Sequence, residues 1–274
     1  MSYKTVLAHL EIGQANTSLL KITADVARLF SAGVIGVGVC QPTQIILNDG
    51  YVSGDVIEQE RADIDAAIKA AEAEFRAAFN GTANHLEWRA AVTLAPLHLF
   101  VADEARSADL VVTGVAKRGL LQGWTQHASN GDLAMHAGRP VLIVPAQATS
   151  FALDHVVVAW KDVREARRAV ADALPILHRA GHVTVVEIAA DREAAAKRVD
   201  RVAGFLAAHG IKAKGVTPAA NGDDAISLER IADEHHADLI VAGAYGHSRM
   251  REWALGGVTR DLLVHPRRCA LVSH

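Results

Sequence analysis

Ala108-Asp109-Leu110-Val111-Val112-Thr113-Gly114 recurs 129 residues further on as Ala237-Asp238-Leu239-Ile240-Val241-Ala242-Gly243. Each copy is an apolar run opened by aspartate and closed by glycine. A strand that is apolar on both faces belongs inside a sheet covered on both sides. The same register carries Trp124 onto Trp253, Asp132-Leu133 onto Asp261-Leu262, His136 onto His265, Arg139 onto Arg268 and Leu142 onto Leu271. This gives 11 identities over the 38 positions 108–145 without a gap. Repetition on this scale is the mark of one fold used twice. Toward the start of each copy the offset widens. Ala32-Gly33 matches Ala180-Gly181 at 148, and Val6-Leu7-Ala8 matches Val157-Val158-Ala159 at 151. The first copy therefore carries 19 extra residues ahead of Ala108. They fall in the polar, turn-rich stretch Gln41–Gln59, which holds Pro42, Asn48-Asp49-Gly50 and Gly54 and suits a lid or cleft wall.

The hydrophobic periodicity alternates between strand and helix along both copies. In the first, strands are expected at 3–10, 34–40, 86–92, 109–114 and 140–144, with helices at 15–31, 55–79, 96–106 and 128–137. In the second, strands are expected at 154–160, 182–188, 211–217, 238–243 and 269–273, with helices at 163–179, 191–208, 223–236 and 257–265. Right-handed crossovers turn this pattern into an α/β fold of two tandem doubly wound domains, each with a five-stranded parallel sheet. The domains are 1–147 and 152–274, joined by Pro145–Ser150. The last strands, 140–144 and 269–273, are expected to pack the halves as an intramolecular pseudo-dimer, and a homodimer is a further option.

The 274 residues also suit two domains at roughly 150 residues each. Half the residues are hydrophobic and the formal net charge is −3, so neither a disordered chain nor a basic nucleic-acid binder is indicated. Two cysteines, Cys40 and Cys269, exclude a disulfide scaffold and read as small buried hydrophobes in a reducing compartment. Met1-Ser2-Tyr3-Lys4 runs directly into the first strand, and no apolar run approaches the ~18 residues of a membrane span. The expectation is a cytoplasmic protein that binds neither membrane nor nucleic acid.

Ligands of doubly wound sheets bind beyond the carboxyl ends of the strands. After strand 238–243 the chain reads Gly243-Ala-Tyr-Gly246-His247-Ser248-Arg249, and then Gly256-Gly257-Val258-Thr259 opens a helix. This is the pattern of a phosphate cradle. Glycines let backbone amides approach an anion, and the helix amino terminus adds free N–H groups and a positive dipole end. Ser248 and Thr259 add hydroxyls, and Arg249 adds a cation. The plainer alternative is a glycine-rich turn linking strand to helix.

The spacing Gly243-x2-Gly246-x9-Gly256 after an apolar strand resembles the nucleotide loop of the universal stress protein family, in its tandem form. The resemblance covers essentially the whole chain. It implies ATP or AMP as ligand, with or without Mg2+, no catalytic triad, association through the last strands and a role in stress survival. It implies that Gly243, Gly246 and Gly256 line the phosphates and ribose, and that Thr259 is the hydroxyl residue of the helix start. Ala159, Trp160 and Lys161 would lie beside base and ribose, and Ile188 would touch adenine. Two departures stand out. The family has Ser or Thr where this chain has Gly257, and an acidic residue where it has Lys161.

The first copy departs further. Lys117 replaces Gly246, His127 replaces Gly256, Asn130 replaces Thr259, and Leu10 stands at the end of the first strand. That copy reads as one that kept the fold and lost the ligand loop. Trp124 and Trp253 read as pins of their own loops, and His235-His236 as a helix end rather than a metal site. No nucleophile elbow, Walker A loop or Gly-x-Gly-x-x-Gly fingerprint occurs. A regulatory nucleotide binder is thus the leading reading. A slow ATPase and a nucleotide-independent interaction module are the alternatives.

Overall fold

Two aspartates fix the strand register of the molecule, a computed structural model that describes residues 2–42, 54–81, 85–115, 128–220, 222–245 and 257–274. The Asp109 carboxylate accepts from the Lys4 and Thr5 amides, at 2.7 and 3.0 Å, while its own amide donates to the Thr5 carbonyl. In the second copy the Asp238 carboxylate accepts from the His155 amide at 3.0 Å, and the Asp238 amide donates to the His155 carbonyl. Each clamp satisfies backbone groups that would otherwise lie unpaired at a sheet end.

The first copy runs β1 (Thr5–Glu11), α1 (Thr17–Phe30), β2 (Gly33–Cys40), α2 (Gly54–Ala78), β3 (Leu86–Val92), α3 (Leu97–Glu104) with a 3-10 turn, β4 (Leu110–Gly114), α4 (Asn130–His136) and β5 (Val141–Val144). The second runs β6 (His155–Ala159), α5 (Arg164–Leu177), β7 (His182–Val186), α6 (Arg192–Ala208), β8 (Ala213–Val216), α7 (Asp224–Glu234), β9 (Leu239–Gly243), α8 (Gly257–Val264) and β10 (Cys269–Ser273). Local chemistry marks several starts. Ser129 caps α4, Asp191 caps α6 and Asp223 caps α7, each accepting a backbone N–H of the first turn. Of the stretch 41–59, residues 54–59 are the opening turns of α2, and 43–53 lie outside the described residues.

All strands join one ten-stranded sheet in the order β3-β2-β1-β4-β5-β10-β9-β6-β7-β8. Every adjacent pair is parallel except β5 and β10, which meet antiparallel through Leu142 and Leu271. The five-stranded units of the sequence reading are thus continuous with each other. The linker is tied down as well. The Ser18 hydroxyl donates to the Ala146 carbonyl at 2.6 Å, and the Phe151 amide donates to Asp25 at 3.1 Å.

The pairing corrects two alignment offsets. Val6 faces Leu110 and Val156 faces Leu239, so β1 and β6 correspond at 150, not 151. A one-residue slip would turn Leu7 to the wrong face of the sheet. Leu7 packs on the α3–α4 side, as Val157 packs on the α7–α8 side, whereas Val158 points the opposite way. With His155 opposite His182 and Val6 opposite Val34, β2 and β7 correspond at 149, so the surplus of the first copy is one residue larger than the alignment gives. Leu10 is therefore the counterpart of Trp160, and the counterpart of Lys161 is Glu11.

On the face carrying α1, α2, α5 and α6, one apolar cluster runs across both copies, from Phe75 through Leu142 and Leu271 to Leu206. The opposite face holds two clusters. One of them mixes the copies, because Ala244, Leu263 and Val272 pack with Leu7, Leu133 and Val141. Since the core crosses the seam, Leu271→Ala should lower stability by about 2–5 kcal/mol, read from the urea midpoint. Tryptophan fluorescence and circular dichroism should report one coincident transition. Two separate transitions, or a loss well under 1 kcal/mol, would contradict the shared core.

Candidate functional site

In the second copy β6 has β9 on one side and β7 on the other, while α5 and α8 leave on opposite faces of the sheet. The carboxyl ends of β6 and β9 therefore flank the crevice where the connections diverge. Of the residues read from the sequence, Ala159, Ile188 and Val258 come together here. All three are half-buried against the cluster that includes Val186, Ala242 and Leu262. They make an apolar wall on the α7–α8 side. Trp160 turns to the other side and packs against the α5 cluster. Its amide donates to the Val186 carbonyl at 2.8 Å, while its indole N–H is buried with no acceptor among the described residues. Lys161 is exposed.

Gly243 has a packing role. A β-carbon there would lie 2.5 Å from the Ala166 nitrogen and 2.6 Å from the Glu165 carbonyl carbon, so only glycine lets α5 seat its first turn on β9. Gly257 opens α8, and Thr259 lies in its first turn. Gly246, His247, Ser248, Arg249 and Gly256 lie outside the described residues, as do Lys117, Trp124, His127 and Trp253.

Two buried carboxylates escaped the sequence reading. Glu187, directly after β7, is 5% exposed and grips Arg198 of α6 through both oxygens, with Nε at 2.8 and 3.1 Å. Glu165, in the first turn of α5, is 6% exposed and pairs with Arg164 at 3.0 Å. The only sequence signal for them was an acidic residue directly after a strand or at a helix start. Arg198 compensates Glu187 in a bidentate pair, which a buried carboxylate requires.

The first copy has a different arrangement at its own carboxyl edge. Glu11 stands where the second copy has Lys161. A buried chain of hydrogen bonds joins the His9 ring, the Thr113 hydroxyl at 3.1 Å and the Asn130 carbonyl oxygen at 3.4 Å. The Asn130 amide then donates to the carbonyls of Gly114 and Leu263, both at 3.1 Å.

Both cysteines are buried, and burial pushes Cys40 up to about 11 and Cys269 up to about 12. They are protonated thiols at neutral pH, not nucleophiles. Among the described residues no group of His, Cys, Asp or Glu side chains could hold a metal ion, and no helix is long and apolar enough to cross a membrane.

No protein-family model matches the chain, and no curated protein does. Solved structures do. A universal stress protein from Archaeoglobus fulgidus is similar over 98% of this chain and 97% of its own, with TM-score 0.72 and 14% identity. A functionally unknown protein from Pseudomonas aeruginosa PAO1 is similar over 99% and 92%, with TM-score 0.59 and 14% identity. The fold is that of universal stress proteins. A universal stress protein of this length matches end to end, so the tandem arrangement is part of the likeness.

At the opposite edge of the second copy three histidines gather. The His155 ring lies 5.1 Å from that of His235 and 5.7 Å from that of His182, and its Nε2 is 2.8 Å from the Thr184 hydroxyl. Burial above all, then the neighbouring His235 and His182, hold His155 below its ordinary pKa, with Asp238 opposing. The unfolded chain therefore takes this proton more readily than the folded one. The stabilising contribution is present above about pH 6.5 and is lost as pH falls below it. The urea midpoint should drop between pH 7.5 and 5.5, and His155→Gln should flatten that drop. An equal slope in the variant would remove His155 as the cause.

Proposed function

We propose that the chain is a tandem universal-stress-type protein, with domains 1–147 and 152–274, that binds ATP or AMP at the carboxyl edge of the second domain. The observation that carries this reading is the convergence at the β6–β9 crevice. An apolar wall of Ala159, Ile188 and Val258 stands beside the amino terminus of α8. A planar base suits such a wall. A phosphate suits the α8 terminus, which follows the glycine-spaced stretch Gly243–Gly256. Lys161 adds an exposed cation just past the end of β6, whereas Trp160 faces the α5 side of the sheet, away from this wall. In this reading Gly246 and Gly256 give backbone approach to the phosphates. His247, Ser248, Arg249, Gly257 and Thr259 frame them, and Gly243 sets the distance between β9 and α5.

Lys161 stands where the resemblance calls for an acidic residue. An ammonium cannot accept a hydrogen bond from a ribose hydroxyl. It can offset phosphate charge, so this site favours the anionic end of the ligand. The role that follows is a ligand-biased regulator. A nucleotide that binds only the folded chain stabilises it by mass action, with no chemistry required. A nucleotide-independent interaction module and a slow ATPase are the competing readings.

Calorimetric titration with ATP and with AMP, with and without Mg2+, tests the proposal. Binding should be saturable at one site, and Gly246→Lys, which installs the residue of the first copy, should abolish it. Absence of heat in the parent chain would favour the interaction module. Unchanged affinity in Gly246→Lys would overturn the phosphate cradle. ADP release in single turnover, lost in Gly246→Lys, would favour the ATPase.

A further inference from the structure

The first turn of α4 meets the second copy at two places, directly after β9 and in the last turn of α8. On the β9 side, Tyr245 lies at φ 58, a left-handed conformation that a tyrosine adopts only when its surroundings hold it there. It packs against the apolar cluster that holds Leu133 and Val141 of the first copy. Its hydroxyl rests on Gly131 in the first turn of α4, where a β-carbon would collide with it. On the α8 side, Leu263 is buried in that same cluster, and its carbonyl accepts from the Asn130 amide at 3.1 Å. Asn130 and Gly131 are adjacent. The same Asn130 amide also donates to Gly114, at the end of β4. One turn of α4 thus touches the chain just after β9 and the carboxyl end of α8, the helix whose amino end borders the second-copy site, and it is bonded to the carboxyl edge of the first copy.

We propose that α4 of the first copy sets the geometry of the second-copy ligand site, with Gly131 and Asn130 acting as positioning residues through Tyr245 and α8. The affinity part of this inference rests on the nucleotide reading above, and the positional part does not. Neither residue touches the ligand. Gly131 leaves the space in which the Tyr245 hydroxyl sits, and Asn130 fixes how far α8 stands from β4. The coupling is reciprocal by necessity. Ligand at the second site restrains α4, and a change at the carboxyl edge of the first copy shifts affinity at the second.

Gly131→Ala tests the seat. The new methyl must push Tyr245 aside, and ATP affinity measured by calorimetry should fall by roughly fivefold or more. Gly131→Ala combined with Tyr245→Phe removes the nearest colliding atom and leaves the ring carbon at 3.0 Å, so it should recover part of that loss, which a general packing defect would not allow. Asn130→Thr installs the residue of the second copy and cuts the bond to Leu263. It should speed amide hydrogen exchange across 257–264 in the ligand-free protein. A parent chain that binds ATP, with Gly131→Ala binding equally well, overturns this inference and leaves the nucleotide reading intact. A parent chain that binds no ATP overturns the nucleotide reading and, with it, the affinity part of this inference. The positional part is then decided by exchange, and unchanged exchange in both Gly131→Ala and Asn130→Thr overturns it. A Gly131→Ala chain that fails to fold transfers the decision to Asn130→Thr, read by exchange and by ATP affinity.

Discussion

The antiparallel contact of β5 with β10 is the constraint on which the rest of the molecule depends. It is the single place where the direction of the sheet reverses. A parallel junction would set all carboxyl ends along one edge of the sheet. The antiparallel one sends those of β1–β5 to one edge and those of β6–β10 to the other. The helices that flank the seam, α4 and α8, are then brought side by side, each with its amino end toward a different edge. The buried seam also explains why the apolar cluster on the α1–α5 side is continuous. Leu142 and Leu271 are fully buried where the copies meet, so neither copy has an edge strand there to expose.

Much of this was legible in the sequence for a simple physical reason. Strands that are apolar on both faces and helices with one apolar stripe leave periods of 2 and 3.6, and a gap-free repeat across 108–145 fixes that two copies share one order. The element boundaries agree with the structure to within a few residues. Legibility stopped where identity of letters and identity of position part company. Val6-Leu7-Ala8 looks like Val157-Val158-Ala159, yet the structure sets Leu7 against Val157. In a run of valines and leucines a slip of one costs nothing in letters and inverts every side chain in space. The aspartate clamps hold the register, and their marks in the sequence, Asp109 and Asp238, lie about a hundred residues away from β1 and eighty from β6.

The corrected register changes how the two copies compare. The first has a carboxylate at the end of its first strand, Glu11, and has Lys117 and His127 at the counterparts of Gly246 and Gly256. The second keeps the glycine spacing after β9 and has lysine at the end of β6. Each copy has diverged in a different part of the same edge. At the candidate site Ala159, Ile188 and Val258, three residues named from the sequence, pack against one buried cluster. The Glu187–Arg198 pair had no mark in the sequence, because a side chain eleven residues away on a helix is invisible to strand periodicity. Gly243 was read for its backbone freedom, whereas the reason visible in the structure is the approach of α5.

A second copy able to act alone would leave the first free to be lost. The packing argues against such independence. Ala244, Leu263 and Val272 belong to the second copy by sequence and to a first-copy core by contact. They sit immediately after β9, in α8 and in β10. Exposing that cluster would remove three buried apolar side chains from their surroundings, and the left-handed Tyr245 would lose the packing that holds it. Divergence of the first-copy loop is therefore compatible with strict retention of its α4 face. A copy with Lys117 and His127 in place of two glycines still supplies the wall against which its neighbour is built.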